Sequence, residues 1–284
     1  MAPLRERFNA LVEEHQEAIC ARLEALDGGA RFSRDRWQRP GGGGGLTRVL
    51  AEGALFEKAG VSVSAVHGTM EGEAFWAAGL SLILHPRSPM VPAVHLNVRR
   101  IEKGSGACFG GGADLTPCYL FEDDARHFHA RLKEACDRFE PGIYARFKAE
   151  CDRYFYLKHR QEARGVGGIF FDQLQADDER GLVLVAGLLE AFLPAYLPIA
   201  GRRRDLPWGE AERRWQLLRR GRYAEFNLVY DRGTRFGLET DGRIESVLVS
   251  MPPLASWEYA HEPEAGSREA ALLEVLRKPR EWVP

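Results

Sequence analysis

Residues 79–99, GLSLILHPRSPMVPAVHLNVR, read as two strands joined by a short proline-rich connection. In the first strand Ser81 and His85 share a face opposite Leu80, Leu82 and Leu84. In the second, His95, Asn97 and Arg99 oppose Val94, Leu96 and Val98, the period-2 pattern of a half-buried strand. Paired as neighbours, the two would set Ser81, His85, His95, Asn97 and Arg99 along one polar wall. An ordinary solvent-facing sheet surface is the alternative, although such surfaces more often carry Lys, Glu and Thr.

Working outward, strand patterns also occupy residues 47–50, 61–66 and 169–171. Further on, residues 219–250, RRGRYAEFNLVYDRGTRFGLETDGRIESVLVS, alternate from Tyr223 to Tyr230 and again from Arg243 to Ser250. The breaks fall at Asp231-Arg232-Gly233-Thr234 and at Asp241-Gly242, which accepts a tight hairpin turn. This predicts a meander with Asp231, Arg232 and Arg243 at the rim of a sheet, suited to a polyanionic ligand that carries N–H groups. Helical spacing covers residues 4–26, 123–139, 143–160 and 181–200. Residues 37–45, with five consecutive glycines, and the FGGG stretch read as loops. Strands in groups separated by helices, without βαβ alternation, predict an α+β fold. We expect a single domain over residues 1–284, with a large, mainly antiparallel β-sheet covered on both faces by α-helices.

The chain has 284 residues, 45% hydrophobic, with a formal net charge of −2, so no overall field favours nucleic acid. Five scattered cysteines without a CxxC spacing suit a reduced, cytoplasmic protein better than a disulfide framework or a zinc knuckle. The apolar run 181–200 is broken by Glu190, Pro194 and Pro198, so we expect a core helix and no transmembrane segment. The clusters Arg202–Arg204 and Arg213-Arg214 suit solvated helical faces.

Residues 108–117, CFGGGADLTP, place three glycines before Asp114. They match neither a Walker loop nor a dinucleotide fingerprint, and leave open a close approach to a ligand or a turn that Asp114 caps. His85, His95, His129 and His159 match no short metal-ligand spacing, which makes satisfied core or rim histidines the default over a shared metal. No GxSxG elbow or catalytic cysteine context is present.

Taken in order, several stretches resemble the oxygen-dependent coproporphyrinogen III oxidases. They are WQRPGGGGGLTRVL (37–50), FEKAGVSVSAVHG (56–68), HPRSPMVPAVHLNVR (85–99) and FGGGADLTPCY (109–119), followed by HFHARLKEACD (127–137), CDRYFYLKHRQEARGVGGIFFD (151–172) and RRGRYAEFNLVYDRGTRFGL (219–238). The resemblance implies conversion of the ring A and B propionates of coproporphyrinogen III to vinyl groups with O2, giving protoporphyrinogen IX for haem synthesis without an organic cofactor. It implies catalytic roles for His95, as proton donor, and for Asp114, Asp231 and Arg232. Asp231 would bind or polarise the pyrrole N–H groups and Arg232 would hold a propionate. Substrate contacts would fall to Ser81, Asn97, Val98 and Arg99 and to the turn Asp241, Gly242 and Arg243. It further implies a homodimer joined through the 219–250 region. In some bacterial members it implies a divalent metal, manganese, at positions matching His85, His95, His129 and His159; other members are metal-free. This chain has Ala107-Cys108 where the family often has two tryptophans, and Gln173 where a second Asp is common. A tetrapyrrole carrier and a histidine-ligated metal oxygenase are the rival readings.

Overall fold

The computed structural model describes residues 3–70, 72–104, 106–239 and 243–284. It opens with helix α1 (Leu4–Asp27), which ends where Gly28 turns left-handed at φ 76°. Six strands then follow as consecutive antiparallel neighbours: β1 (Ser33–Gln38), β2 (Gly43–Ala51), β3 (Phe56–Met70), β4 (Glu73–Pro86), β5 (Ala93–Lys103) and β6 (Gly106–Thr116). After α2 (Glu122–Phe139), α3 (Ile143–Tyr154) and a small hairpin of β7 (Tyr156–Leu157) and β8 (Glu162–Ala163), β9 (Gly167–Leu174) adds to β6 and completes a seven-stranded sheet. The α+β reading with an antiparallel sheet therefore holds.

The predicted β4–β5 pairing is present, with Ser81 opposite Asn97 and Ile83 opposite His95. Val94, Leu96 and Val98 lie at 1% exposure or less in the main core, beneath α1, α2 and α4 (Asp178–Arg203). His95, Asn97 and Arg99 point to the other face and are half-buried. The loop reading of the first glycine run holds only for residues 39–42, the turn between β1 and β2; Gly43–Gly45 and the FGGG stretch are strand, and neighbouring side chains occupy the space above them. The Trp37 ring lies where a side chain at Gly45 would be, with a Cβ there only 2.6 Å from Cζ2. The Arg99 guanidinium lies likewise over Gly110, 2.8 Å from a Cβ built there.

Helix α4 is long and apolar enough to cross a membrane, yet Leu184, Val185, Leu188, Phe192 and Tyr196 are buried in the protein core. Pro194 and Pro198 sit inside it. Pro198 has no N–H for the Pro194 carbonyl, and the ring of His127 on α2 supplies that partner at 3.0 Å.

The predicted meander is not a sheet. Residues 219–229 belong to α5 (Glu210–Val229) and 232–239 to α6 (Arg232–Glu239), and α7 (Ile244–Val247) leads into a 3-10 turn at Leu248–Ser250. The alternation misled because buried arginines interrupt the apolar stripe of α5. Trp215, Leu218, Tyr223 and Phe226 recur at helical spacing, but Arg219 and Arg220 are equally buried, paired with Glu162 and Glu57. The Arg202–Arg204 and Arg213-Arg214 clusters are only partly solvated faces. Arg202 and Arg203 hold Asp124, and Arg213 holds Glu57. The predicted turn residues Asp241 and Gly242 lie outside the described residues.

Candidate active site

The C-terminal elements cover only part of the sheet's polar face. The 3-10 turn is pinned over β3 and β4, where the His85 Nε2–H donates to the Ser250 carbonyl at 3.0 Å and the Lys58 ammonium to the Met251 carbonyl at 2.8 Å. α7 sits over β2 through the Ser246–Thr47 hydroxyl contact of 2.7 Å. The start of α6 reaches β9, where Arg232 pairs with Asp172 at 3.0 Å. Between these anchors lies the strip that carries Ser81, Asn97 and Arg99. Ser81 is exposed, and Asn97 Oδ1 is buried without a hydrogen-bond partner, an acceptor that a ligand N–H would satisfy.

At one end of this strip, His95 and Asp114 are opposite each other on β5 and β6. His95 Nδ1 lies 3.0 Å from Asp114 Oδ1, while the Arg164 guanidinium grips both carboxylate oxygens at 2.7 and 3.1 Å. Arg164 is fully enclosed, packed over Phe155, Tyr223 and Phe226 and donating to Asn227 Oδ1 at 2.9 Å. Burial would push the Asp114 carboxyl up, but the Arg164 charge and then His95 outweigh it and hold it below the ordinary carboxylate range. Ionised Asp114 can only accept, so the His95 ring carries its proton on Nδ1. Nε2 has no hydrogen-bond partner among the described residues.

At the other end, Asp172 bridges Arg99 at 2.5 Å and Arg232 at 3.0 Å. Arg232 also lies over the Tyr154 and Phe170 rings, which stack on each other with centroids 3.9 Å apart. Asp231 belongs to this end as well. Its Oδ2 accepts from the Thr234 N–H at 2.7 Å, capping α6, and its Oδ1 accepts from the Tyr154 hydroxyl at 2.8 Å. Burial, with the Asp231 charge, pushes the Tyr154 hydroxyl up to about 12. Arg243, at the start of α7, stands apart, paired through Nε with Asp35 on β1 at 3.0 Å.

A model of the coproporphyrinogen III oxidase family matches residues 7–282. The chain belongs to the coproporphyrinogen III oxidase family. Among its relatives is the chloroplastic oxygen-dependent coproporphyrinogen-III oxidase of Glycine max, 52% identical over 307 residues that cover 99% of this chain and 80% of that protein. Coproporphyrinogen-III oxidase 1 of Arabidopsis thaliana, also chloroplastic, is 49% identical with the same coverage. The oxygen-dependent enzyme of Synechococcus sp. (strain CC9605) is 48% identical over 98% of this chain and 88% of its own length.

The structure brings His95, Asp114, Arg99, Asp231 and Arg232 together on one face, with Ser81 and Asn97 between them. Val98 lies on the opposite side of β5, as its place in the alternation predicts. Its side chain belongs to the core, at 1% exposure, so only its main chain is near this face. The four histidines are a correction, because they do not converge. His129 is buried under α2 with both ring nitrogens engaged, one by the Tyr144 hydroxyl at 2.6 Å and one by the Val166 carbonyl at 3.1 Å. His159 is held by Tyr230 and Glu225, His85 by Ser250 and His95 by Asp114. Among the described residues no group of three or more His, Cys, Asp or Glu side chains could hold a metal ion. The residues therefore do not fit the manganese site implied for some family members. The sequence reading missed Arg164, Tyr154, Phe170 and Asp172 as site residues. The period-2 spacing of Phe170 and Asp172 was a usable signal, whereas nothing local distinguished Arg164 from a surface arginine.

Proposed function

We propose that this protein decarboxylates the ring A and B propionates of coproporphyrinogen III to vinyl groups with O2 as co-substrate, yielding protoporphyrinogen IX. The observation that carries the reading is the shared face. A proton-exchanging His95 Nε2 and two arginines lie along one strip of sheet, in a chain about half identical to named oxidases of this kind. Each step converts a propionate CH2–CH2–COO⁻ into CH=CH2 and CO2, releasing one proton and two electrons that pass to O2. Arg99 and Arg232 hold carboxylates by charge-assisted bonds. Asn97 Oδ1 and the remaining lone pairs of Asp231 accept from pyrrole N–H groups, and Ser81 contacts the macrocycle. His95 handles the proton at Nε2, and Asp114, clamped by Arg164, keeps its ring in the required tautomer. Arg243 holds a further propionate, and the adjoining Asp241 and Gly242 contribute to the same substrate-binding turn.

We also propose a homodimer. Leu254, Trp257 and Tyr259 and, nearer the site, Leu228, Val229 and Ile244 form apolar surface at 45–102% exposure, more than a lone soluble protein needs there. A cytoplasmic location is proposed from the five free cysteines. The test of function is an aerobic assay of purified protein with coproporphyrinogen III, following CO2 and product porphyrin. No turnover by the wild type would leave the carrier reading. Activity lost to a chelator and restored by manganese would revive the metal reading, which the histidine geometry opposes. Light scattering in solution tests the dimer.

A further inference from the structure

The cations of the strip are already paired inside the protein, and this bears on how a tetracarboxylate can bind. Arg99 comes from β5 and Arg232 from α6, on opposite sides of the strip, and one carboxylate, Asp172, serves both through different oxygens. The three groups differ in access. The Arg232 side chain is 58% exposed, Arg99 29% and Asp172 22%. Each guanidinium offers five N–H donors and spends only one of its terminal nitrogens on Asp172.

From this geometry we propose that Asp172 is an internal competitor for the substrate's carboxylates, bridging Arg99 and Arg232 and yielding the exposed Arg232 to a propionate on binding. The inference rests on the proposed function and names a specificity-determining residue within it. The Asp172–Arg232 pair is a partly exposed ion pair, cheap to exchange for another of the same chemistry. Arg99, laid flat over Gly110, stays on Asp172 and keeps its orientation. A ligand therefore gains at Arg232 only if it brings a carboxylate that outcompetes Asp172. A ring whose propionates have become vinyls brings none there, and Asp172 takes Arg232 back. Discrimination between tetracarboxylate substrate and dicarboxylate product thus depends on this one side chain.

The test uses the full chain and coproporphyrin III, a non-reacting tetracarboxylate, with its tetramethyl ester as the uncharged control, titrated by fluorescence. Asp172→Asn keeps the shape of the side chain and removes the charge. It is expected to tighten coproporphyrin III binding about three- to ten-fold, to leave the ester unchanged, and to lower KM for coproporphyrinogen III in parallel. In an Arg232→Gln background the same substitution should bring no gain, a coupling that a merely structural role would not show. Asp172→Ala, as a second variant, should tighten binding in the same direction. Unchanged or weaker binding of coproporphyrin III by folded Asp172→Asn, or an equal effect with and without Arg232, overturns the proposal. If the wild type itself neither binds coproporphyrin III nor turns over the reduced substrate, the proposed function has failed instead.

Discussion

The two ends of the polar strip use the same chemical pair, an aspartate with an arginine, in opposite ways. At the sealed end Asp114 and Arg164 are at 1–2% side-chain exposure, with three of the guanidinium nitrogens bonded and its faces covered by aromatic rings. At the open end Asp172 shares itself between two arginines that water reaches. A buried pair is expensive to break and insensitive to salt, because a lone charge left inside has no solvent to turn to. An open pair is weak and exchangeable. The difference teaches a division of labour in which the sealed pair fixes the reacting histidine and the open pair remains available to the ligand.

The sharpest way to break that contrast is Asp114→Asn, which strands the Arg164 charge. It is expected to cost about 3–5 kcal/mol of stability in urea unfolding and to abolish measurable turnover. A loss below ~1 kcal/mol would mean that the pair is not sealed. His95→Gln should lower kcat by about 10²- to 10⁴-fold while unfolding at nearly the wild-type urea concentration, which would separate chemistry from scaffold at the same end.

Acid should also act on the sealed part of the molecule. His85 and His129 are pushed down to about 3, in both cases chiefly by burial, and nearby cations add to it. A group with a depressed folded pKa binds fewer protons folded than unfolded. Its stabilising contribution is therefore complete above about pH 6.5 and falls away as the pH drops toward 3. At pH 5 each histidine should cost about 2 kcal/mol relative to pH 8, and His129→Gln should remove its share of that slope in chemical denaturation. The smallest effect belongs to the open end. Arg232→Gln is expected to raise KM about ten-fold, with the gap narrowing in 1 M salt, whereas the effect of Asp114→Asn should not depend on salt.

The sheet half of the molecule was legible because β5 and the first part of β4 pack one face into the core and leave the other partly open, so burial is written into the sequence with period 2. The same reading placed Ser81, His95, Asn97 and Arg99 on one face. It failed where polarity and burial part company. Arg219 and Arg220 are interior residues neutralised by distant glutamates, and the apolar-looking tail at 247–250 is a half-buried turn laid on a sheet rather than a strand within one. Asp231 illustrates the limit at the site. Its chemistry suggested a ligand-binding turn, but its first geometric task is to cap α6 and thereby aim Arg232 at Asp172. Arg164 could not be found locally, because its meaning comes from Asp114, 50 residues away, and Asn227, 63 residues away.

The connectivity of the sheet has a kinetic corollary. Strands β1 to β6 are joined in sequence, so their pairing closes short loops and can proceed hairpin by hairpin. β9 and the α5 side chains around Arg164 arrive only after much longer chain closures. During refolding the Trp76 and Phe109 environments on α1 and the sheet should mature before the Asp114 carboxylate meets its cation. Catalytic competence then appears in the last and slowest phase.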